Sequence, residues 1–237
     1  REVMTGISSG KSIADLEDRR DLALNRLGDS IGFKAFRQPS GDLILLGAGG
    51  IAIPLPDTGE AFSTVGMDLA PNAFYGAGGS IPPVILNDLD VTEQIKGGRL
   101  GEFIQLRDQT LTRYQAELDI AAVEIAARFE AEGLRLFSDS NGNVPNPDLG
   151  YAAPGSTQIG FANRIQINAL VRADATLLRD GTHSVPPKPP ATTPWFTPNP
   201  AGGPAAFTVL IDRILENSFG DMNSKGESWG GFATTGL

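Results

Sequence analysis

The stretch from Leu100 to Glu132 constrains the rest of this 237-residue chain most: it holds no proline and, after Gly101, no glycine. Ile104, Leu111, Leu118 and Ile125 recur at a constant heptad interval, with Tyr114 and Ala121 between them, the a/d spacing of a coiled-coil seam. Phe103, Ala122 and Phe129 widen the stripe, so the seam is expected to be buried inside a bundle rather than against one partner helix. Arg107, Asp108, Arg113, Glu117, Glu124 and Arg128 supply the polar positions. One continuous helix here would be about 50 Å long, more than a compact domain of this size needs.

Two further helices are expected beside it. Ser12–Leu27 opens with Ser12 and Asp15 in capping-box spacing, carries Ile13, Leu16, Ala23, Leu24 and Leu27 as an apolar stripe, and meets Gly28 as a C-cap. Ala205–Phe219 places Phe207, Leu210, Ile211, Ile214 and Leu215 at helical spacing and ends at Gly220. Both are expected to share one core with the 104/111/118/125 stripe, so that Leu118→Asp would cost several kcal/mol. From Ile31 the period changes to two: a hairpin through Leu46 with a turn at Pro39–Asp42, a strand at Ile51–Ile53, and strand candidates at Phe62–Leu69 and Val84–Leu86. After Gly133, a good C-cap, Ser138–Ser156 is polar loop, Arg164–Asn168 alternates like a strand, and Asp174–Leu178 suits a helical turn. Val185–Pro204 holds about half of the prolines and is expected to run extended.

The fold class read from these patterns is α+β, mainly helical: an elongated helical bundle built on one long helix (about 100–132), with a small antiparallel β subdomain inserted. The expected domains are a discontinuous helical core of 12–30 with 92–237, an inserted β subdomain of 31–91, and the proline-rich segment 185–204.

A formal charge of −9 argues against nucleic acid or an anionic membrane as partner. Cysteine is absent, which removes disulfides, thiolate metal sites and thiol nucleophiles. No apolar run reaches the ~18 residues that span a bilayer, and no signal peptide is visible. The chain opens on Arg1 and closes in a Gly/Ser/Thr-rich stretch, so it is expected to be a fragment.

The chemical motifs fail one by one. Gly47-Ala48-Gly49-Gly50 follows an apolar strand, but Ala52 replaces the third glycine of a dinucleotide fingerprint and Pro54 and Pro56 stand where a helix should start. A hairpin turn is the better account. Asp139-Ser140-Asn141-Gly142-Asn143 opens like a calcium loop, yet Val144 and Gly150 occupy the positions that need glycine and glutamate. His183 is the single histidine, and no Gly-x-Ser-x-Gly elbow accompanies it. The carboxylates lie mainly on helix faces among arginines. The sequence therefore assigns no catalytic, cofactor-binding or metal residue, expects no cofactor, and points away from an enzyme.

Two blocks carry a resemblance. Asp15-Leu16-Glu17-Asp18-Arg19-Arg20-Asp21 resembles the Asp-Leu-Leu-Asp-Gln-Arg-Asp block of the flagellar hook-associated protein 1 family, with Glu17 and Arg19 as departures. Gly98-Arg99-Leu100-Gly101-Glu102-Phe103-Ile104, followed by Arg107-Asp108, resembles its Gly-x-Leu-Gly-Gly-Leu-Leu…Arg-Asp block, with Glu102 replacing a glycine. Glu130 and Gly133 stand where members commonly carry Asn and His, while Asp139–Gly142 keeps the aspartate–glycine turn. The resemblance implies the central part of a structural subunit that joins hook to filament in the bacterial flagellum, without the family's terminal coiled-coil segments. It implies a secreted, extracellular protein with no catalysis. The implied partners are the flagellar hook protein and hook-associated protein 3, with self-assembly left to the full-length protein and the fragment itself monomeric. The rival classes are a generic coiled-coil interaction module, such as an export chaperone or adhesin stalk, and a hydrolase.

Overall fold

The structure, a computed structural model, describes residues 2–9, 12–40, 42–55, 60–70, 73–187 and 190–219. It is mainly helical α+β, with one long helical stretch and small antiparallel sheets. Two compact units, residues 1–112 and 113–237, divide the chain inside that stretch.

In the first unit α1 (Glu2–Ser8) precedes α2 (Ala14–Ser30). Ile13, not Ser12, is the N-cap of α2, and no side chain caps it; Asp15 and Glu17 meet the helix dipole instead. The helix runs through Gly28, because one interior glycine costs only about 1 kcal/mol and Ile31 beyond it is drawn into the core. Next, β1 (Phe33–Arg37) and β2 (Leu43–Gly47) form the expected hairpin, paired Phe33↔Gly47 to Arg37↔Leu43, and β3 (Ala52–Ile53) adds to β2. Phe62–Leu69 forms no strand; only Ser63 bridges Ile85. A second hairpin, β4 (Ile85–Leu86) and β5 (Leu89–Asp90), turns on Asn87 and Asp88 at φ +49° and +63°, the left-handed pair of a type I′ turn.

α3 (Gly98–Gln105) completes this unit's core. Ile31, Leu45, Ile53, Val84, Leu86, Val91 and Ile95 are buried together, with Leu24 and Leu27 of α2 and Leu100 and Ile104 of α3 packed against them. Residues 12–30 thus share a core with 31–91 rather than standing apart from an inserted subdomain. The reason is local: only Ile31 and Gly32 separate α2 from β1, so the strand folds straight back beside the helix.

Helical backbone continues from α3 through a π turn at Leu106–Thr110 into α4 (Leu111–Ala131). A π turn inserts one residue, about 100° of rotation, and so breaks the heptad register between Ile104 and Leu111. Ile104 is half-buried in the first core, whereas Leu111, Tyr114, Leu118 and Ile125 are exposed. The face of α4 that is buried carries Ala116, Asp119, Ala122, Val123 and Ala126. The seam is therefore not the core. Leu118 is 61% exposed, and Leu118→Asp is expected to move a thermal melt by no more than about 0.5 kcal/mol, in place of the large loss that bundle burial would bring.

α4 ends in a Schellman motif: Leu134 N–H donates to Phe129 O and Gly133 N–H to Glu130 O (both 3.1 Å), with Gly133 at φ +99°. Then β6 (Phe137–Ser138) pairs with β7 (Gln166–Ile167), followed by α5 (Ala169–Ala173), α6 (Leu177–Asp180) and α7 (Val209–Asn217). The proline-rich segment doubles back, since Val185 and Phe196 form an antiparallel bridge. Leu210 and Ile214 of α7 pack with Leu134, Val171 and Phe196 in a second core, and Phe161 plugs a third beneath Ala122, Val123 and Ala126. Gly220, the expected end of this helix, lies outside the described residues.

Candidate functional site

Among the described residues Asp119 is the one carboxylate that is completely buried, and it is fully hydrogen-bonded. Its Oδ2 accepts from the Tyr151 hydroxyl and the Gly160 N–H (2.7 Å each), and its Oδ1 from the Ala162 N–H (2.8 Å) and the Gln115 side chain (3.0 Å). Four donors replace the lost water, so the buried charge is compensated. The result pins the 150–162 loop to α4 and seats Phe161 on the alanines. Burial, then the hydrogen bond to Asp119, push the Tyr151 hydroxyl well above the usual phenol range. Nothing reactive is left over at this carboxylate.

At the C-terminal end of α4 a cleft of about 370 Å³ is lined by Arg135, Asp139, Asn141, Asn168 and His183 among others. The former calcium-loop candidate lies on its wall. Asp139 Oδ1 accepts from the backbone N–H of Asn141 and Asn143 (2.9 and 2.8 Å), so this carboxylate closes a turn of its own chain. Among the described residues no group of three His, Cys, Asp or Glu is placed to hold a metal ion. The His183 ring is held by other groups: Nε2 lies 3.0 Å from Glu130 O, which makes it the protonated nitrogen, and Nδ1 lies 2.9 Å from Thr182 Oγ1. Thr182 in turn donates its N–H to Gly133 O (2.9 Å) and accepts the Arg135 N–H (2.7 Å) at its hydroxyl. Arg135 is ion-paired with Glu130. His183 thus meets one of the last carbonyls of α4, which a helix leaves without intrahelical partners, and Thr182 meets that of Gly133 just beyond the helix. The cleft wall is capping chemistry.

The glycine-rich candidate behaves as a turn. Gly50 N–H returns to Gly47 O (2.9 Å), Gly50 sits at φ +77°, and β3 follows where a phosphate site would need a helix.

The two blocks singled out in the sequence both lie in the first unit. In α2, Asp15 pairs with Arg19 (2.6 Å), while Glu17 pairs with Arg37 of β1. The end of α2 runs against the start of α3 with no room for side chains. Gly98 is at φ +64°, and a Cβ there would stand 2.5 Å from Ile31 N; a Cβ on Gly32 would stand 2.3 Å from Lys96 O. Gly32 N–H donates to Gly97 O across this contact (3.1 Å). The glycines are where two backbones touch.

The family model of the flagellar hook-associated protein FlgK helical domain matches residues 1–144, which takes in both blocks, the glycine contact and the Asp139 turn. The chain belongs to the FlgK family. Curated proteins and solved structures gave no match. As a FlgK-family chain it is a flagellar structural protein of the hook-associated class, a component of the flagellum and a partner of other flagellar components. Among the described residues no helix is long and apolar enough to cross a membrane. The glycine contact, which the sequence offered only as part of a resemblance, is the feature of the FlgK match with the clearest physical content. Asp119 carried no sequence signal except its position among small apolar residues on the wrong side of the heptad stripe.

Proposed function

We propose that this chain is part of the subunit that joins hook to filament, exported without a cleaved signal, located outside the cell and carrying out no catalytic step. It contacts the flagellar hook protein on one side and hook-associated protein 3 on the other. The FlgK helical-domain match over residues 1–144 carries the reading. The capping role of His183 and the turn-closing role of Asp139 support it, since both groups are engaged in local structure. So does α4, where Tyr114, Leu118 and Ile125 leave an apolar face open to a neighbour.

Deleting the gene for the full-length protein is expected to leave cells with hooks but no attached filaments, and filament subunits in the medium. Normal filaments on the deletion strain would remove the junction reading. By itself the chain is expected to be a monomer in light scattering at moderate salt. The four exposed apolar residues of α4, Leu111, Tyr114, Leu118 and Ile125, bury too little for a stable dimer, and −9 on each copy adds repulsion. A stable dimer with a concentration-dependent melt would favour a coiled-coil interaction module instead.

A further inference from the structure

The outer edge of the β1–β2–β3 sheet is built to receive a guest strand. The strand order puts β1 at the end of the sheet. Gln38 N–H donates to Asp42 O (2.8 Å), and the register then alternates so that Lys34 and Phe36 bond to β2. The N–H and C=O groups of Phe33, Ala35 and Arg37 point the other way, and no backbone partner meets them among the described residues. A free edge alone is commonly protected by a lysine, and Lys34 would serve that purpose. Three observations show more than protection.

The solvent face next to the edge is apolar: Phe36 and Ile44 form an exposed cross-strand pair, with Phe36 49% exposed and Leu46 half-buried beside it. A cleft of about 400 Å³ opens on this side, lined by Phe36, Leu46, Lys34 and Lys96 among others. Lys96 comes from a separate segment, just before α3, and still faces the same cleft. Both lysines are exposed, and neither has an ion pair among the described residues, although acidic residues outnumber basic ones 28 to 19 in this chain. Two unpaired cations are thus held over one apolar cleft in an acidic protein.

We infer that β1 accepts an extended, acidic peptide segment by strand addition, with the guest backbone bonded to Phe33, Ala35 and Arg37 and its side chains over the cleft. Successive outward residues of a strand alternate in face, so the guest carries an aliphatic or aromatic side chain against Phe36. An Asp or Glu two positions away on the same face lies over Lys34 and Lys96. Main-chain bonds give such a complex its geometry and the paired side chains its selectivity. The inference is independent of the junction role.

The test uses the whole chain and a capped seven-residue peptide, Thr-Glu-Thr-Ile-Thr-Glu-Thr. Titration followed by NMR is expected to shift the Phe33, Ala35 and Arg37 amides. Lys34→Glu or Lys96→Glu is expected to weaken binding about tenfold each, since both residues are exposed and the fold does not depend on them. A peptide with Lys in place of Glu should regain affinity for the charge-reversed proteins. Alternate N-methylation of the peptide should abolish binding to the unaltered chain. Failure of the acidic peptide to bind would overturn the inference. So would binding indifferent to N-methylation, or self-association through β1 in place of peptide binding.

Discussion

Asp119→Ala is expected to destabilise the 113–237 unit by about 3–5 kcal/mol, the range for removing one member of a buried, hydrogen-bonded charged set. The substitution strands the Tyr151 hydroxyl and the Gly160 and Ala162 N–H groups. It also releases the loop that places Phe161, which is fully buried against Ala122, Val123 and Ala126. Urea denaturation followed by tryptophan fluorescence reads this unit, because Trp195 falls within it and residues 1–112 contain no tryptophan. Asp119→Asn is the sharper variant. It keeps the volume but gives one former acceptor two N–H groups, which then face donors. An Asn variant as stable as the native chain would show that the carboxylate is not the hub.

The same network sets an alkaline limit. The Tyr151 hydroxyl is held in its neutral form in the folded chain by burial and by Asp119, while the unfolded chain ionises near the usual value of about 10. A group whose pKa is raised on folding contributes stability that is complete below its unfolded pKa and is lost as pH rises. Denaturant midpoints are therefore expected to fall from about pH 10 upward. Tyr151→Phe, which removes the ionisation, should flatten that fall at the cost of one hydrogen bond.

Gly98→Ala is the other large expected effect, about 3 kcal/mol or more in the 1–112 unit. A residue with Cβ at φ +64° costs about 1 kcal/mol by itself. The added Cβ would also lie 2.5 Å from Ile31 N and 2.6 Å from Ser30 C, both backbone atoms that cannot swing away. Gly50→Ala is the matched control, at φ +77° with nothing within 4 Å of the new carbon. It should cost only the conformational part. Hydrogen exchange at the β1–β2 amides, which belong to this unit, compares the two. Equal losses of protection would mean that the close approach of α2 and α3 does not matter.

Local pattern alone determined much of this chain. Alternation and turn residues placed the β1–β2 hairpin and β3, Gly133 marked the end of the long helix, and the failed glycine and calcium patterns correctly read as turns. These features depend on neighbours in sequence, so the sequence shows them directly. The helix ends were less legible: Ser12 and Gly28 looked like caps, yet α2 starts after Ile13 and runs to Ser30. The pull of Ile31 into a core outweighs a preference worth about 1 kcal/mol. The Leu111, Tyr114, Leu118 and Ile125 stripe is real, but periodicity says only that an apolar face exists, not that this chain covers it. Tertiary structure chose the other side of α4. Small alanines there let a loop approach closely, and Asp119 is buried because residues 151–162 of that loop, far along the chain, bring it three donors beside the Gln115 side chain of α4. A partner set assembled at that sequence distance leaves no mark in local hydropathy, and the π turn that moves Ile104 and Leu111 onto different faces leaves none in the heptad count.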